Sequence, residues 1–126
     1  MRRIVMDMQS YLFADSLARN LRAADSDFEV IRARTPSETA GLCWNEPYAL
    51  LMEVTAYTPW LFEERMKIRD EVKSRTPECK IVLLVDANTE QALAEQAKQA
   101  KKDGLIDQFI YGDSSADYLV AQIDTL

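Results

Sequence analysis

Five short apolar runs punctuate the chain, and each is followed by a segment that reads as helix. The runs are Ile4-Val5-Met6, Phe28-Glu29-Val30-Ile31, Ala49-Leu50-Leu51-Met52, Ile81-Val82-Leu83-Leu84-Val85 and Phe109-Ile110-Tyr111. The third and fourth are unbroken apolar blocks, as expected of central strands covered on both faces. The second contains a glutamate and the fifth is short, which suits sheet edges. Alternation of this kind predicts βα units joined by right-handed crossovers into one parallel sheet.

The helix starts carry their own signals. Thr35-Pro36-Ser37-Glu38 reads as a capping box with proline at the first helical position, and Thr58-Pro59 repeats the cap-then-proline device before Trp60-Leu61. Asn88-Thr89-Glu90-Gln91 is a further pattern of the capping-box kind, and Asp113-Ser114-Ser115 opens the last helix. In that helix Ala116, Leu119, Val120 and Ile123 form one stripe. From Glu90 to Lys102 the stripe is Leu93, Ala97 and Ala100, mostly alanine, which predicts close but weak packing. No repeat, low-complexity tract or linker interrupts residues 1–126, so one domain is expected.

Composition narrows the function classes. A formal net charge of -6 argues against nucleic acid, because phosphate contacts need a basic face. Arg2-Arg3 and the cluster Lys98, Lys101, Lys102 are too small to reverse that sign. No stretch approaches the roughly 20 apolar residues that span a bilayer, and Met1-Arg2-Arg3 leads into no signal-peptide pattern, so a cytoplasmic protein is expected. Cys43 and Cys79 match no metal or redox spacing. Histidine is absent, which removes the commonest general base and transition-metal ligand.

Ligands of open parallel sheets sit outside the carboxyl ends of the strands. Those ends read Asp7-Met8, Glu53-Val54-Thr55, Val85-Asp86-Ala87 and Tyr111-Gly112-Asp113, so several carboxylates are expected to converge on one edge. Clustered carboxylates repel unless a proton or a cation intervenes. Asp86 and Asp113 also suit a plain reading as loop or cap residues, whereas Asp7 and Glu53 end the central strands.

At these positions the chain resembles, over its whole length, the CheY-like receiver domain of two-component response regulators. Receivers carry an acidic pair after strand one, a phospho-accepting aspartate after strand three, a Ser or Thr after strand four and a lysine after strand five. Ile4-Val5-Met6-Asp7-Met8 looks like the first motif with methionine for the second acid. Glu46-Pro47-Tyr48-Ala49-Leu50-Leu51-Met52-Glu53 places Glu53 at the phospho-acceptor position, and Ile81–Asp86 places Val85 where the hydroxyl belongs. The segment from Gly104 through Phe109-Ile110-Tyr111-Gly112 puts Phe109 at the aromatic switch position and Gly112 at the lysine position. The resemblance implies an α/β, flavodoxin-like (βα)5 fold, doubly wound around a five-stranded parallel sheet of order 2-1-3-4-5.

The same resemblance implies that the chemistry has been lost. Val85 offers a phosphoryl group no hydrogen bond and Gly112 no charge, and each lost charge-assisted bond costs about 1.5–3 kcal/mol. Glutamate is one methylene longer than aspartate, and misplacing a nucleophile by roughly 1 Å can cost about a hundredfold in rate. The expectation is a non-enzymatic pseudo-receiver, working through a protein partner or a second copy docked on the face of helix 4, strand 5 and helix 5. Glu53 admits two readings, an imitation of the phosphorylated aspartate or a relic. One alternative is a receiver that retains weak Mg²⁺ binding through Asp7, Glu53 and Asp86, with phosphorylation-dependent signalling. The other is a small flavodoxin-like enzyme or cofactor binder, against which stands the lack of a phosphate-cradling glycine loop after any strand.

Overall fold

Strand β1 (Arg2–Asp7) is followed by α1 (Tyr11–Ala24), β2 (Phe28–Arg32), a 3-10 turn (Pro36–Glu38) that runs into α2 (Thr39–Leu42), and β3 (Pro47–Val54). Then come α3 (Phe62–Arg75), β4 (Lys80–Val85), α4 (Gln91–Lys102), β5 (Gln108–Tyr111) and α5 (Ala116–Asp124). These elements belong to a computed structural model that describes residues 2–85 and 91–126. All neighbouring strands pair in parallel, in the order β2-β1-β3-β4-β5. Each predicted strand is present, and the two weaker runs, β2 and β5, form the edges.

Period-2 alternation distributes the core between the two faces of the sheet. Ile4, Met6, Ala49, Leu51, Val82 and Leu84 lie in one layer with Leu17 and Leu21 of α1 and Leu119 and Ile123 of α5. Val5, Leu50, Met52, Val54, Leu83 and Val85 lie in the other with Ala40, Val72, Leu93, Ala97 and Ala100, from α2, α3 and α4. Cys43 and Cys79 are buried free thiols in that second layer. The stripe expected in α4 is the one observed, since its buried residues are Leu93, Ala97 and Ala100. Asn88, Thr89 and Glu90, which carry the expected cap and helix start, lie outside the described residues.

Two expected helix starts differ. Thr35 forms no side-chain cap; its Oγ1 lies 2.9 Å from Ser37 Oγ, and Glu38 instead accepts from the Arg34 N–H. The segment is a single 3-10 turn followed by a four-residue helix that ends at Cys43, and Glu46, just before β3, has a φ of 49°. Thr58-Pro59, a cis peptide, caps nothing. It belongs to a turn closed by Thr55 N–H donating to Trp60 O at 3.0 Å, and α3 begins only at Phe62, where Glu63 and Glu64 complement the helix dipole. The last helix starts as expected, with Ser115 Oγ accepting from Tyr118 N–H at 3.2 Å. No helix among the described residues is long and apolar enough to cross a membrane. Arg2 is engaged with Asp25 at 2.9 Å and Asp124 at 2.7 Å.

Because α4 meets the sheet through alanines, there is no room for larger side chains. Ala97→Leu is expected to destabilise the fold by about 1–3 kcal/mol, whereas Ala92→Leu on the exposed side should stay within about 0.5 kcal/mol. Urea denaturation of the two variants checks this, and equal stabilities would contradict the packing described.

Candidate functional site

At the carboxyl end of β1 the strand alternation separates two residues that are adjacent in sequence. Met8 joins Ile4 and Met6 in the layer under α1 and α5, so the methionine at the second acid position is a core residue. Asp7 turns to the opposite face and is 2% exposed. A carboxylate so deeply buried needs a partner, because desolvating an unpaired charge is costly. The partner is Arg65 of α3, itself 0% exposed, whose Nη1 donates to Asp7 Oδ2 at 2.7 Å. The same guanidinium donates from Nη2 to Asp7 O at 3.0 Å and from Nε to Glu53 O at 2.8 Å. Thr39 Oγ1, at the start of α2, adds a bond to Asp7 Oδ2 at 2.7 Å. One buried cation thus joins the ends of β1 and β3 to α3. Burial lowers its pKa while Asp7 and Glu53 pull it up, yet a guanidinium stays protonated.

Glu53 ends elsewhere. Its side chain reaches back over the β1–α1 loop, where Oε1 accepts from Gln9 N–H at 2.8 Å and Ser10 N–H at 3.0 Å. Ser10 is the N-cap of α1, with Oγ accepting from Phe13 N–H at 3.2 Å. The carboxylate therefore lies where free backbone donors and the positive end of a helix dipole favour negative charge.

The sheet edge brings Glu53, Val85 and Gly112 together around one cleft of about 250 Å³, with Ser10, Phe13, Leu84 and Asp113 completing its walls. Val85 is fully buried, its side chain belongs to the second core layer, and it offers no hydroxyl. Gly112 donates its N–H to Val85 O at 2.8 Å, and a Cβ built on it would stand 3.1 Å from Phe13 Cε2. A Cβ at position 112 would therefore require the phenyl ring of α1 to give way by a few tenths of an ångström. Phe109 is half-buried against the second core layer and meets Tyr111 edge-on, with ring centroids 5.9 Å apart.

Two of the oxygens expected to hold a divalent cation are engaged by groups of the chain itself. Asp7 Oδ2 already receives two donors, and the Glu53 oxygen with assigned partners is bonded to the loop. Among the described residues no group of three His, Cys, Asp or Glu side chains gathers as a metal set. Asp86, the third expected ligand, lies outside them.

Arg65 and Thr39 were not among the residues singled out in the sequence. A signal for Arg65 exists: it falls in register with Phe62, Met66, Arg69 and Val72, an arginine on the inward stripe of α3. Removing one partner of a buried ion pair strands the other, so Asp7→Ala is expected to cost about 3–5 kcal/mol of stability. Combining it with Arg65→Met should cost less than the sum of the two single losses. Urea-melt double-mutant cycles read this, and simple additivity would show the pair to be uncoupled.

No protein-family model matches the sequence, and no curated protein matches it. Solved structures do. A response regulator receiver domain protein from Clostridium thermocellum superposes with a TM-score of 0.78 at 16% identity, covering 99% of this chain and 93% of that one. A CheY-like receiver domain protein from Methanospirillum hungatei gives 0.75 at 16% identity, with 99% and 92% covered. A structure described as adenylate cyclase from Rhodopirellula baltica gives 0.78 at 18% identity, with 98% and 85% covered. At such identities the likeness is one of fold: the chain has the five-stranded flavodoxin-like fold of CheY-like receiver domains.

Proposed function

We propose that this chain is a receiver-like signalling module of the response-regulator kind that acts by binding protein and takes up no phosphoryl group at Glu53. The observation that carries the reading is the state of the cleft. The carboxylate at the acceptor position is bonded to the Gln9 and Ser10 amides, 2.8 and 3.0 Å away, and turned towards α1. Val85 supplies no hydroxyl, Gly112 supplies no cationic side chain, and the Phe13 ring lies beside it. A phosphoryl group on Glu53 would displace those two backbone bonds and meet no compensating cation or hydroxyl, so its electrostatic stabilisation is missing. Glu53 works as a tie between β3 and the start of α1. Its carboxylate approaches Phe109 through no chain of hydrogen bonds among the described residues, which disfavours imitation of a phosphorylated state.

The binding face in this reading runs over α4, β5 and α5. Tyr111 and Tyr118 are 36% and 50% exposed there, beside a shallow groove of about 340 Å³ that also touches Lys101, Gln108 and Ser114. Exposed tyrosines with polar neighbours are the composition of protein-binding patches.

Two measurements test the proposal. Incubation with acetyl phosphate and Mg²⁺, followed by intact-mass analysis, is expected to leave the mass unchanged; a stoichiometric phosphoryl adduct on Glu53 would refute it. Sedimentation is expected to show concentration-dependent self-association weakened by Tyr118→Asp. If that substitution leaves the association as it was, the face has been wrongly assigned.

A further inference from the structure

We propose that Arg65 is a built-in cation, a side chain held in a hard-cation cage, so that the carboxyl edge of the sheet is assembled without any dissociable metal ion. The inference deepens the functional reading above and rests on it for the role of the domain, though its own evidence is geometric. Three oxygen acceptors from two adjacent strands converge on one guanidinium: Asp7 Oδ2 at 2.7 Å, Asp7 O at 3.0 Å and Glu53 O at 2.8 Å. A carboxylate oxygen together with main-chain carbonyls, and no nitrogen or sulfur, is the donor set that Mg²⁺ and Ca²⁺ take. Here that set is filled from within.

The geometry gives the substitution three consequences. Arg65 is delivered by α3, so its bonds fasten a helix to β1 and β3, where a bound ion would fasten only the strand ends. Thr39 Oγ1 shares Asp7 Oδ2 with the guanidinium at 2.7 Å, which ties α2 into the same point. Neither Arg65 nor Thr39 exposes any surface, so an ion from solvent cannot displace the guanidinium without opening the packing around it. A fixed charge of this kind makes the shape of the sheet edge indifferent to divalent-cation concentration. The domain presents one arrangement to its partner instead of an arrangement gated by metal.

The test removes the guanidinium and asks whether an ion takes its place. Wild-type protein is expected to show no saturable Mn²⁺ binding by calorimetry and no change of unfolding midpoint with millimolar Mg²⁺. Arg65→Ser removes the guanidinium from all three oxygens, leaving Asp7 Oδ2 with Thr39 Oγ1 alone, and opens space between them. It should melt lower than wild type and recover about 4–8 °C in a saturable manner with Mg²⁺. Adding Asp7→Asn to that variant should abolish the recovery. Arg65→Lys keeps a charge near Asp7 and should fold without responding to Mg²⁺. Saturable cation binding by the wild type overturns the proposal, as does an Arg65→Ser protein that is folded, or unfolded, regardless of Mg²⁺. A phosphoryl adduct on Glu53 would sink the functional reading and leave these results standing, so the two failures are distinguishable.

Discussion

The buried pair of Asp7 and Arg65 is the constraint on which the functional edge depends. An ionised carboxylate at the end of a central strand is tolerable in the interior only with a cation beside it, and the charge comes from α3. Because the guanidinium also satisfies the carbonyls of Asp7 and Glu53, one side chain sets the spacing of β1 and β3 and the seat of α3. Arg suits this post better than Lys, since its planar fork can serve three acceptors at once. Arg69, one turn later on the same stripe, donates from Nε to Leu105 O at 2.7 Å and ties α3 to the loop before β5.

The state of the cleft follows from that arrangement. With Asp7 neutralised by an internal cation, Glu53 is left to interact with the β1–α1 loop, where unpaired amides and a helix N-terminus receive it. Opposite, Val85 and the Phe13 ring against Gly112 line the cleft beside Ser10 and Asp113, with no cationic side chain among them. Beneath the cleft, Asp7, Arg65 and Thr39 form a buried hydrogen-bonded network. The fold is that of receivers, while Asp7, Arg65 and Glu53 at its carboxyl edge hold elements together.

Much of this was legible from local pattern. The five apolar runs each became a strand, the edge positions of β2 and β5 followed from their weaker runs, and the Leu93, Ala97 and Ala100 stripe faces the sheet as its spacing required. Where the local signal was a cap, it was less dependable. Thr35 and Thr58 carry the right residues, yet a 3-10 turn and a closed loop at Thr55–Trp60 take those positions, because hydrogen bonds within the segment compete with helix initiation.

The sequence alone determined the strands, their order by resemblance, and the residue types at the sheet edge, because two-residue and 3.6-residue periodicities are written in nearest neighbours along the chain. It also placed Asp7, Glu53, Val85 and Gly112 at that edge. Tertiary structure alone decided what each of them touches. Met8 and Asp7 are neighbours in the chain and part to opposite faces of the sheet, one into the core and the other to the ion pair. Arg65 reads as one charge among many in a charged helix until the packing of α3 on β1 and β3 carries it 58 residues back along the chain to Asp7. A charge declares itself in a sequence, but its partner is chosen by the fold.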